Sequence, residues 1–119
     1  MTLFSGKSTA AQFMSGTIPL PRHKPEIAVA HALAAKYMGF QSLYLEGGSG
    51  ADHSVPEDMI YAVSQSVDLP LIVGGGIRTP ESAVKKVEAG ANFIVTGNIL
   101  ENNKDKGLLK SFVAAIHQK

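Results

Sequence analysis

Hydrophobic positions along the chain follow two spacings in turn, and this alternation predicts helices separated by strands. The first helical pattern begins at Pro25, where a missing N–H needs no acceptor, and it ends at Gly39. Its apolar stripe has a spacing of three to four residues and consists of Ile27, Ala30, Ala34 and Met38. Residues 42–46, with Leu43, Tyr44 and Leu45 at their centre, then predict a short buried strand.

The same alternation continues to the end of the chain. Apolar runs at residues 70–73 and 93–95 predict two more strands, each preceded and followed by a helical pattern. The helix before the first of them has a capping box at residues 54–57 and an apolar stripe at Ile60, Val63 and Val67. The next helix has Thr79 as its N-cap. The last helix has its apolar residues on one face: Leu108, Leu109, Phe112, Val113 and Ile116.

This order of helices and strands predicts an α/β fold with a parallel sheet. None of the strands shows polar alternation, so both faces of the sheet are expected to be buried. A (β/α)₈ barrel takes about 250 residues, and the chain has 119. We therefore predict the C-terminal portion of a TIM barrel, about strands 6–8 with their helices. An irregular N-terminal segment at residues 1–22 is expected to precede the half-barrel at residues 23–119.

Composition and charge exclude several classes of function. Lys and Arg total 11 and Asp and Glu total 10, a net charge of +1, which argues against nucleic acid as a partner. The chain has no cysteine, so disulfides and thiolate zinc sites are excluded. No apolar run approaches the roughly 20 residues of a transmembrane segment, and no signal-peptide pattern is present. A cytoplasmic protein is expected.

Charged residues are scarce, at 18% of the chain, against roughly 25% in an average soluble domain. This shortfall indicates a chain that buries more surface than it would alone. Half a barrel would also expose an apolar edge. We therefore expect either a homo-oligomer or pairing with a missing N-terminal half.

Each predicted strand ends in a loop rich in glycine. These loops contain Gly47, Gly48, Ser49 and Gly50 after the first strand, Gly74, Gly75 and Gly76 after the second, and Gly97 and Asn98 after the third. Glycine lets backbone N–H groups approach an anion that a Cβ would keep away. The alternative is that the glycines only form tight turns. Three such loops at one edge of a parallel sheet favour a phosphate site.

Glu46 is a candidate catalytic residue because it ends an apolar strand and its carboxylate should emerge into the pocket. There it could act as a general base on a hydroxyl or stabilise developing positive charge. A structural ion pair with a lysine or arginine at the barrel rim is the alternative, and the spacing leaves both open. For Arg78 and His31 a structural role is favoured over a part in the chemistry.

Four blocks of the sequence resemble the archaeal geranylgeranylglyceryl phosphate synthases. They are Tyr-Leu-Glu-Gly-Gly-Ser-Gly-Ala at residues 44–51, Pro-Arg-His-Lys-Pro-Glu-Ile-Ala at 21–28, Pro-Leu-Ile-Val-Gly-Gly-Gly-Ile-Arg at 70–78 and Ile-Val-Thr-Gly-Asn at 94–98. The chain departs from that family in having Gly47 where alanine is usual. The related bacterial heptaprenylglyceryl phosphate synthases resemble it less well, since they have Glu-Tyr-Ser-Gly where this chain has Glu-Gly-Gly-Ser-Gly.

The resemblance implies a prenyltransferase that joins sn-glycerol 1-phosphate to geranylgeranyl diphosphate with release of diphosphate, in archaeal ether-lipid synthesis. It implies that Glu46 takes or orients the hydroxyl proton and that the Tyr44 ring faces the allylic cation. The substrate-binding residues that it implies are Tyr44, Leu45, Glu46, Gly47, Gly48, Ser49, Gly50, Gly75, Gly76, Gly97 and Asn98.

Mg²⁺ is the cofactor that the resemblance implies, bound at the leaving diphosphate. In that family the metal ligands lie at the first two strand ends, which have no counterpart here, so no metal ligand is expected in this chain. We expect the chain alone to carry the phosphate half of the site without completing the reaction. The alternatives are a heptaprenylglyceryl phosphate synthase-like enzyme, an isomerase or aldolase-type barrel with the same loops, and a non-catalytic phosphate-binding half-barrel.

Overall fold

Within the described residues, the strands and helices follow one another in alternation. The computed structural model describes residues 1–4, 20–47, 53–97 and 106–117. Strands β1 to β4 are Thr2–Phe4, Leu43–Glu46, Leu71–Gly74 and Phe93–Val95. Helices α1 to α4 are Pro25–Tyr37, Glu57–Ser66, Pro80–Ala89 and Lys106–Ile116. The strands pair in parallel in the order β1-β2-β3-β4, which confirms the predicted α/β fold with a parallel sheet.

Strand β1 lies inside the segment 1–22, for which the sequence predicted irregular structure. Thr2 pairs with Tyr44 and Phe4 with Glu46, and the Tyr44 N–H donates to the Met1 carbonyl over 2.8 Å. The prediction was therefore wrong for Thr2–Phe4, and the sheet has four strands where three were expected. Three residues are too few to show a periodicity, so only the pairing with β2 identifies them as a strand.

Within the described ranges, one face of the sheet packs on the helices, and the opposite face, called the open face here, is partly exposed. Leu3, Leu43, Leu45, Leu71 and Val73 lie on the packed face and are at most 6% exposed. The register places Tyr44, Ile72 and Phe93 together on the opposite face, where Phe93 is 59% exposed. The prediction that both faces are buried was wrong for this sheet. Further strands would cover that face in a complete barrel.

The residues of helix α1 that pack against the core differ from the apolar stripe that the spacing predicted. Ala28, Ala32 and Ala35 are fully buried, whereas Met38 is 68% exposed. Alanine occurs on more than one side of this helix, so the apolar pattern alone did not identify the packed side. Helix α2 buries its predicted stripe at Ile60, Val63 and Val67. In α4 only Phe112 of the predicted face is fully packed, and Leu109 and Val113 are half exposed.

The helix ends follow the predicted signals at α3 but not at α2. The Thr79 hydroxyl accepts from the Ser82 N–H over 3.1 Å, and α3 ends at Gly90. Helix α2 begins after Pro56 without a side-chain capping bond, so the predicted capping box was wrong. The Glu57 carboxylate instead forms an ion pair with Lys86. Within the residues described, no helix is long and apolar enough to cross a membrane.

Substituting Gly90 with alanine is expected to lower the free energy of unfolding by about 1–3 kcal/mol. Gly90 has a φ of +128°, and a Cβ there would lie 2.5 Å from both Cβ and Oγ of Ser64. Gly39→Ala is the matched control, since Gly39 also has a positive φ but a Cβ there would meet nothing within 4 Å. Denaturant unfolding of the two variants measures the difference. Equal losses would contradict a steric role for Ser64.

Candidate functional site

The carboxyl ends of the strands lie side by side at one edge of the sheet. The register pairs Glu46 with Gly74 and Gly74 with Val95, so the loops after β2, β3 and β4 begin next to one another. The Gly47 N–H donates to the Gly74 carbonyl over 2.9 Å, which joins the first two loops directly. The strands that precede the three glycine-rich loops thus end at one edge of the sheet, as their parallel arrangement predicted.

Tyr44 and Glu46 form a hydrogen-bonded pair on the open face of the sheet, near this edge. They are two residues apart in β2, so both side chains lie on the same face. The Tyr44 hydroxyl donates to the Glu46 carboxylate. Burial, followed by the hydrogen bond to Glu46 and its negative charge, raises the pKa of Tyr44 far above its usual value. Tyr44 therefore stays protonated and orients the carboxylate.

The Tyr44 ring lies directly over Gly74, the first of three consecutive glycines. A Cβ at Gly74 would lie 2.6 Å from the Tyr44 Oη, 3.2 Å from its Cε2 and 3.0 Å from the Val95 Cβ. Real Cβ atoms essentially never approach that closely, so a side chain at this position would displace the ring. Gly74 is thus required by the Tyr44 ring.

Gly75 and Gly76 are required by their backbone conformation. Their φ angles are +83° and +72°, a region that residues with a Cβ rarely adopt. Within the described part of the chain, neither N–H donates to a backbone acceptor. Two backbone N–H groups therefore lie in the loop that follows β3, beside Gly47.

Gly47 packs against the start of the second loop and the end of its own. A Cβ at Gly47 would lie 3.2 Å from the carbonyl oxygens of both Gly75 and His53. Contacts at that distance are tighter than nine in ten real Cβ contacts, so the alanine usual in the resembling family would require a small shift here. Gly47 thus brings the two loops into close contact.

The remaining predicted site residues do not all lie at the strand-end site. The Leu45 side chain is 1% exposed and packs in the core between sheet and helices, away from the open face. Gly97 follows β4, and a Cβ there would meet nothing within 4 Å. Gly48, Ser49, Gly50 and Asn98 lie outside the described residues, and their roles stay predictions.

Lys86 and Arg22 have contacts near the site that the sequence did not predict. Lys86 is 2% exposed and donates to the Val55 carbonyl over 2.6 Å and to Glu57 Oε1 over 3.1 Å. Arg22 donates to the Ser54 carbonyl. Lys86 lies three residues after the buried Ala83 on the same helix face, and that spacing is the one signal that could have identified it.

The Lys86–Glu57 pair is partly desolvated. Burial lowers the pKa of Lys86, and the hydrogen bond and charge of Glu57 only partly offset this effect. For Glu57, burial raises the pKa, but its own backbone hydrogen bond and the Lys86 ammonium outweigh it, so the pKa is lowered.

His31 and Arg78 are exposed, and His31 Nδ1 lies 2.8 Å from the Ile27 carbonyl of its own helix. Within the described ranges, no three His, Asp or Glu side chains are grouped to hold a metal ion.

Comparison with known proteins supplies a family and close relatives. A family model described as the PcrB family matches residues 5–116. Geranylgeranylglyceryl phosphate synthase from Thermococcus gammatolerans is 59% identical over 83 residues, which are 70% of this chain and 33% of that protein. The synthase of the same name from Thermococcus sibiricus is 46% identical over 112 residues, 91% of this chain and 44% of that protein.

A solved structure matches almost the whole chain. It is the crystal structure of (S)-3-O-geranylgeranylglyceryl phosphate synthase from Thermoplasma acidophilum in complex with its substrate sn-glycerol-1-phosphate. The TM-score is 0.95 at 38% identity, over 99% of this chain and 48% of that one. The prediction that the chain folds as a portion of a TIM barrel is confirmed. The chain spans between a third and a half of the length of the relatives that it matches.

Proposed function

The chain belongs to the PcrB family, and on that premise we propose that it forms the glycerol-phosphate half of a prenyltransferase. The complete enzyme would join sn-glycerol 1-phosphate to geranylgeranyl diphosphate, a step of ether-lipid biosynthesis. The observation that carries the proposal is the Tyr44–Glu46 pair beside Gly75 and Gly76, at the strand ends of a half-barrel. The synthase that binds sn-glycerol-1-phosphate and shares this fold at a TM-score of 0.95 supports it.

The phosphate group is proposed to bind at the strand-end glycines. The N–H groups of Gly75 and Gly76 supply donors, and the contact of Gly47 with Gly75 closes one side of the site. Gly97 has open space where a Cβ would be, which lets an anion approach its backbone. Backbone donors suit a phosphate because its oxygens accept several hydrogen bonds at once.

Glu46 is proposed as the proton acceptor of the reaction. The glycerol 3-hydroxyl oxygen forms a bond to C1 of the allylic diphosphate, the bond from C1 to the diphosphate oxygen breaks, and the hydroxyl proton goes to Glu46. Tyr44 cannot take that proton, since its raised pKa keeps it protonated, but its hydroxyl holds the carboxylate in place. Its ring face would stabilise positive charge that develops on the allyl group.

Mg²⁺ is proposed to assist departure of the diphosphate in the complete enzyme, with ligands that this chain does not supply. A divalent cation there would stabilise negative charge on the leaving oxygens. The residues that the structure describes contain no group of three carboxylate or imidazole ligands that fits such an ion. We therefore assign no step of metal chemistry to the described residues.

A second candidate is a non-catalytic half-barrel that binds a phosphate ester and self-associates. The open face favours it, because Phe93 and Val95 are 59% and 43% exposed there. An exposed apolar face of this kind requires a cover, either the rest of a barrel or a second copy. By itself, the chain is expected to bind glycerol phosphate without completing prenyl transfer.

A chimaera tests the proposed reaction. The matching 48% of the Thermoplasma acidophilum synthase is replaced by this chain, and product formation is measured with geranylgeranyl and heptaprenyl diphosphates, with and without Mg²⁺. The chimaera is expected to form the geranylgeranyl ether in a Mg²⁺-dependent reaction, and the 119-residue chain alone is expected to form none. A folded chimaera without activity would contradict the proposed prenyl transfer. Prenyl transfer by the isolated chain would contradict the proposal that it forms only half of the site.

A further inference from the structure

Two cationic side chains donate to consecutive backbone carbonyls in residues 53–56, the segment before α2 that we call the arm. Arg22, which precedes α1, donates to the Ser54 carbonyl 32 residues away. Lys86, in α3, donates to the Val55 carbonyl 31 residues away. We name this pair the carbonyl clamp. Its members come from opposite sides along the sequence and meet at adjacent peptide groups.

Burying the Lys86 ammonium in the carbonyl clamp has an electrostatic cost. A buried ammonium is costly unless it is paired and hydrogen-bonded, and Lys86 is 2% exposed. Glu57 Oε1, at 3.1 Å, supplies the opposing charge. Arg22 is near enough for its charge to contribute to the lowered pKa of Lys86, after burial. An apolar side chain would pack between α2 and α3 without these costs, as Met59, Val63 and Ala83 do.

The held arm forms one side of the junction around Gly47. A Cβ at Gly47 would lie 3.2 Å from the His53 carbonyl and 3.5 Å from the Ser54 Cα, so the arm lies against Gly47. Gly47 in turn donates its N–H to Gly74 and contacts the Gly75 carbonyl. Movement of the arm would therefore release Gly47 and, with it, the alignment of the two loops.

We propose that Arg22 and Lys86 are positioning residues of the glycerol-phosphate site, which set the contact of Gly47 with Gly75 by fixing the carbonyls of Ser54 and Val55. They do not touch the reacting atoms. This inference rests on the proposed function, because it assigns the clamp a role in binding sn-glycerol 1-phosphate. It also has a consequence in the absence of ligand, namely protection of the Gly47 N–H from exchange.

The variant that tests the clamp is Lys86→Met, which keeps the length of the side chain and removes its donors. Lys85→Met is the matched control, since Lys85 is the exposed neighbour of the same charge on α3. Calorimetric titration with sn-glycerol 1-phosphate is performed at a temperature at which circular dichroism shows all proteins folded. Lys86→Met is expected to weaken binding about tenfold or more, and Lys85→Met less than about twofold. Equal affinities would overturn the inference, even if Lys86→Met unfolds at a lower temperature.

Arg22 provides a second and independent variant. Arg22→Met removes the donor to Ser54 and is expected to weaken binding in the same direction, whereas Arg22→Lys keeps a cationic donor and should restore most of the affinity. If Arg22 contributed only to folding, Arg22→Met and Arg22→Lys would change the unfolding temperature but would bind sn-glycerol 1-phosphate with equal affinity.

Amide hydrogen exchange without ligand distinguishes failure of the clamp from failure of the proposed function. The Gly47 N–H and residues 53–57 are expected to exchange faster in Lys86→Met than in Lys85→Met, with α4 unchanged as an internal control. If the unmodified chain binds no glycerol phosphate, the proposed function fails and the binding role with it. Unchanged exchange at Gly47 would overturn the clamp itself.

Discussion

Replacing Glu46 with glutamine in the chimaera is expected to lower the rate constant of prenyl transfer by about 10²–10⁴-fold, the usual contribution of a general base. Glutamine retains the shape of the side chain and an oxygen that can accept from Tyr44, but it cannot take the proton of the attacking hydroxyl. The expected KM for sn-glycerol 1-phosphate changes far less, because the backbone donors of Gly75 and Gly76 remain.

Glu88→Gln is the control for this substitution, since Glu88 is an exposed glutamate on α3, away from the strand ends. It removes the same charge from the same fold and should leave the rate constant unchanged. If Glu46→Gln retained a rate constant similar to that of Glu88→Gln, Glu46 would not be the proton acceptor, and the alternative of a structural carboxylate would be favoured.

Replacing Gly74 with alanine is expected to lower the free energy of unfolding by about 1–3 kcal/mol and to weaken binding of sn-glycerol 1-phosphate. The added Cβ would lie 2.6 Å from the Tyr44 hydroxyl and 3.0 Å from the Val95 Cβ. The Tyr44 ring is the part that can move, and its movement breaks the hydrogen bond to Glu46. Denaturant unfolding and calorimetry measure the two effects.

A double-mutant cycle with Tyr44→Ala isolates the clash from other effects of the substitution. Without the ring, Gly74→Ala should cost clearly less stability, and the remaining cost reports the contact with Val95. An equal loss of stability in both backgrounds would show that the Tyr44 ring is not what requires glycine at this position.

The strand ends were predictable from sequence because apolar runs followed by glycine are local signals. Residues 42–46 and 70–73 each predicted a strand to within a residue, and the parallel arrangement placed Glu46 beside the triple glycine. The contacts that exclude a side chain at each glycine could not be predicted from the sequence. Gly74 depends on the Tyr44 ring, and Gly47 depends on a loop from elsewhere in the fold.

The features that sequence did not predict depend on packing between distant segments. Strand β1 exists through its pairing with β2, and the buried stripe of α1 was decided by its contact with neighbouring elements rather than by its own periodicity. Lys86 is the clearest example. A lysine beside Lys85 on an amphipathic helix predicts a solvated side chain, but Val55 and Glu57 provide partners that allow Lys86 to be buried.

The open face of the sheet also explains why one prediction about the strands was wrong. Continuous apolar runs are typical of strands covered on both faces, and they predicted burial of Phe93 and Val95. Both residues lie on the open face, where 59% and 43% of their surfaces are exposed. In a closed barrel the other strands would cover this face, so the residue pattern corresponds to a fold larger than these four strands.

The central claim is that this chain carries a site for sn-glycerol 1-phosphate, and titration of the unmodified chain with the two glycerol phosphate enantiomers tests it most directly. Isothermal calorimetry is performed with sn-glycerol 1-phosphate and sn-glycerol 3-phosphate under identical conditions, with inorganic phosphate as a competitor. We expect saturable binding with one site per chain, a clear preference for the 1-phosphate, and competition by phosphate. Absence of binding, or equal affinity for the two enantiomers, would contradict the account.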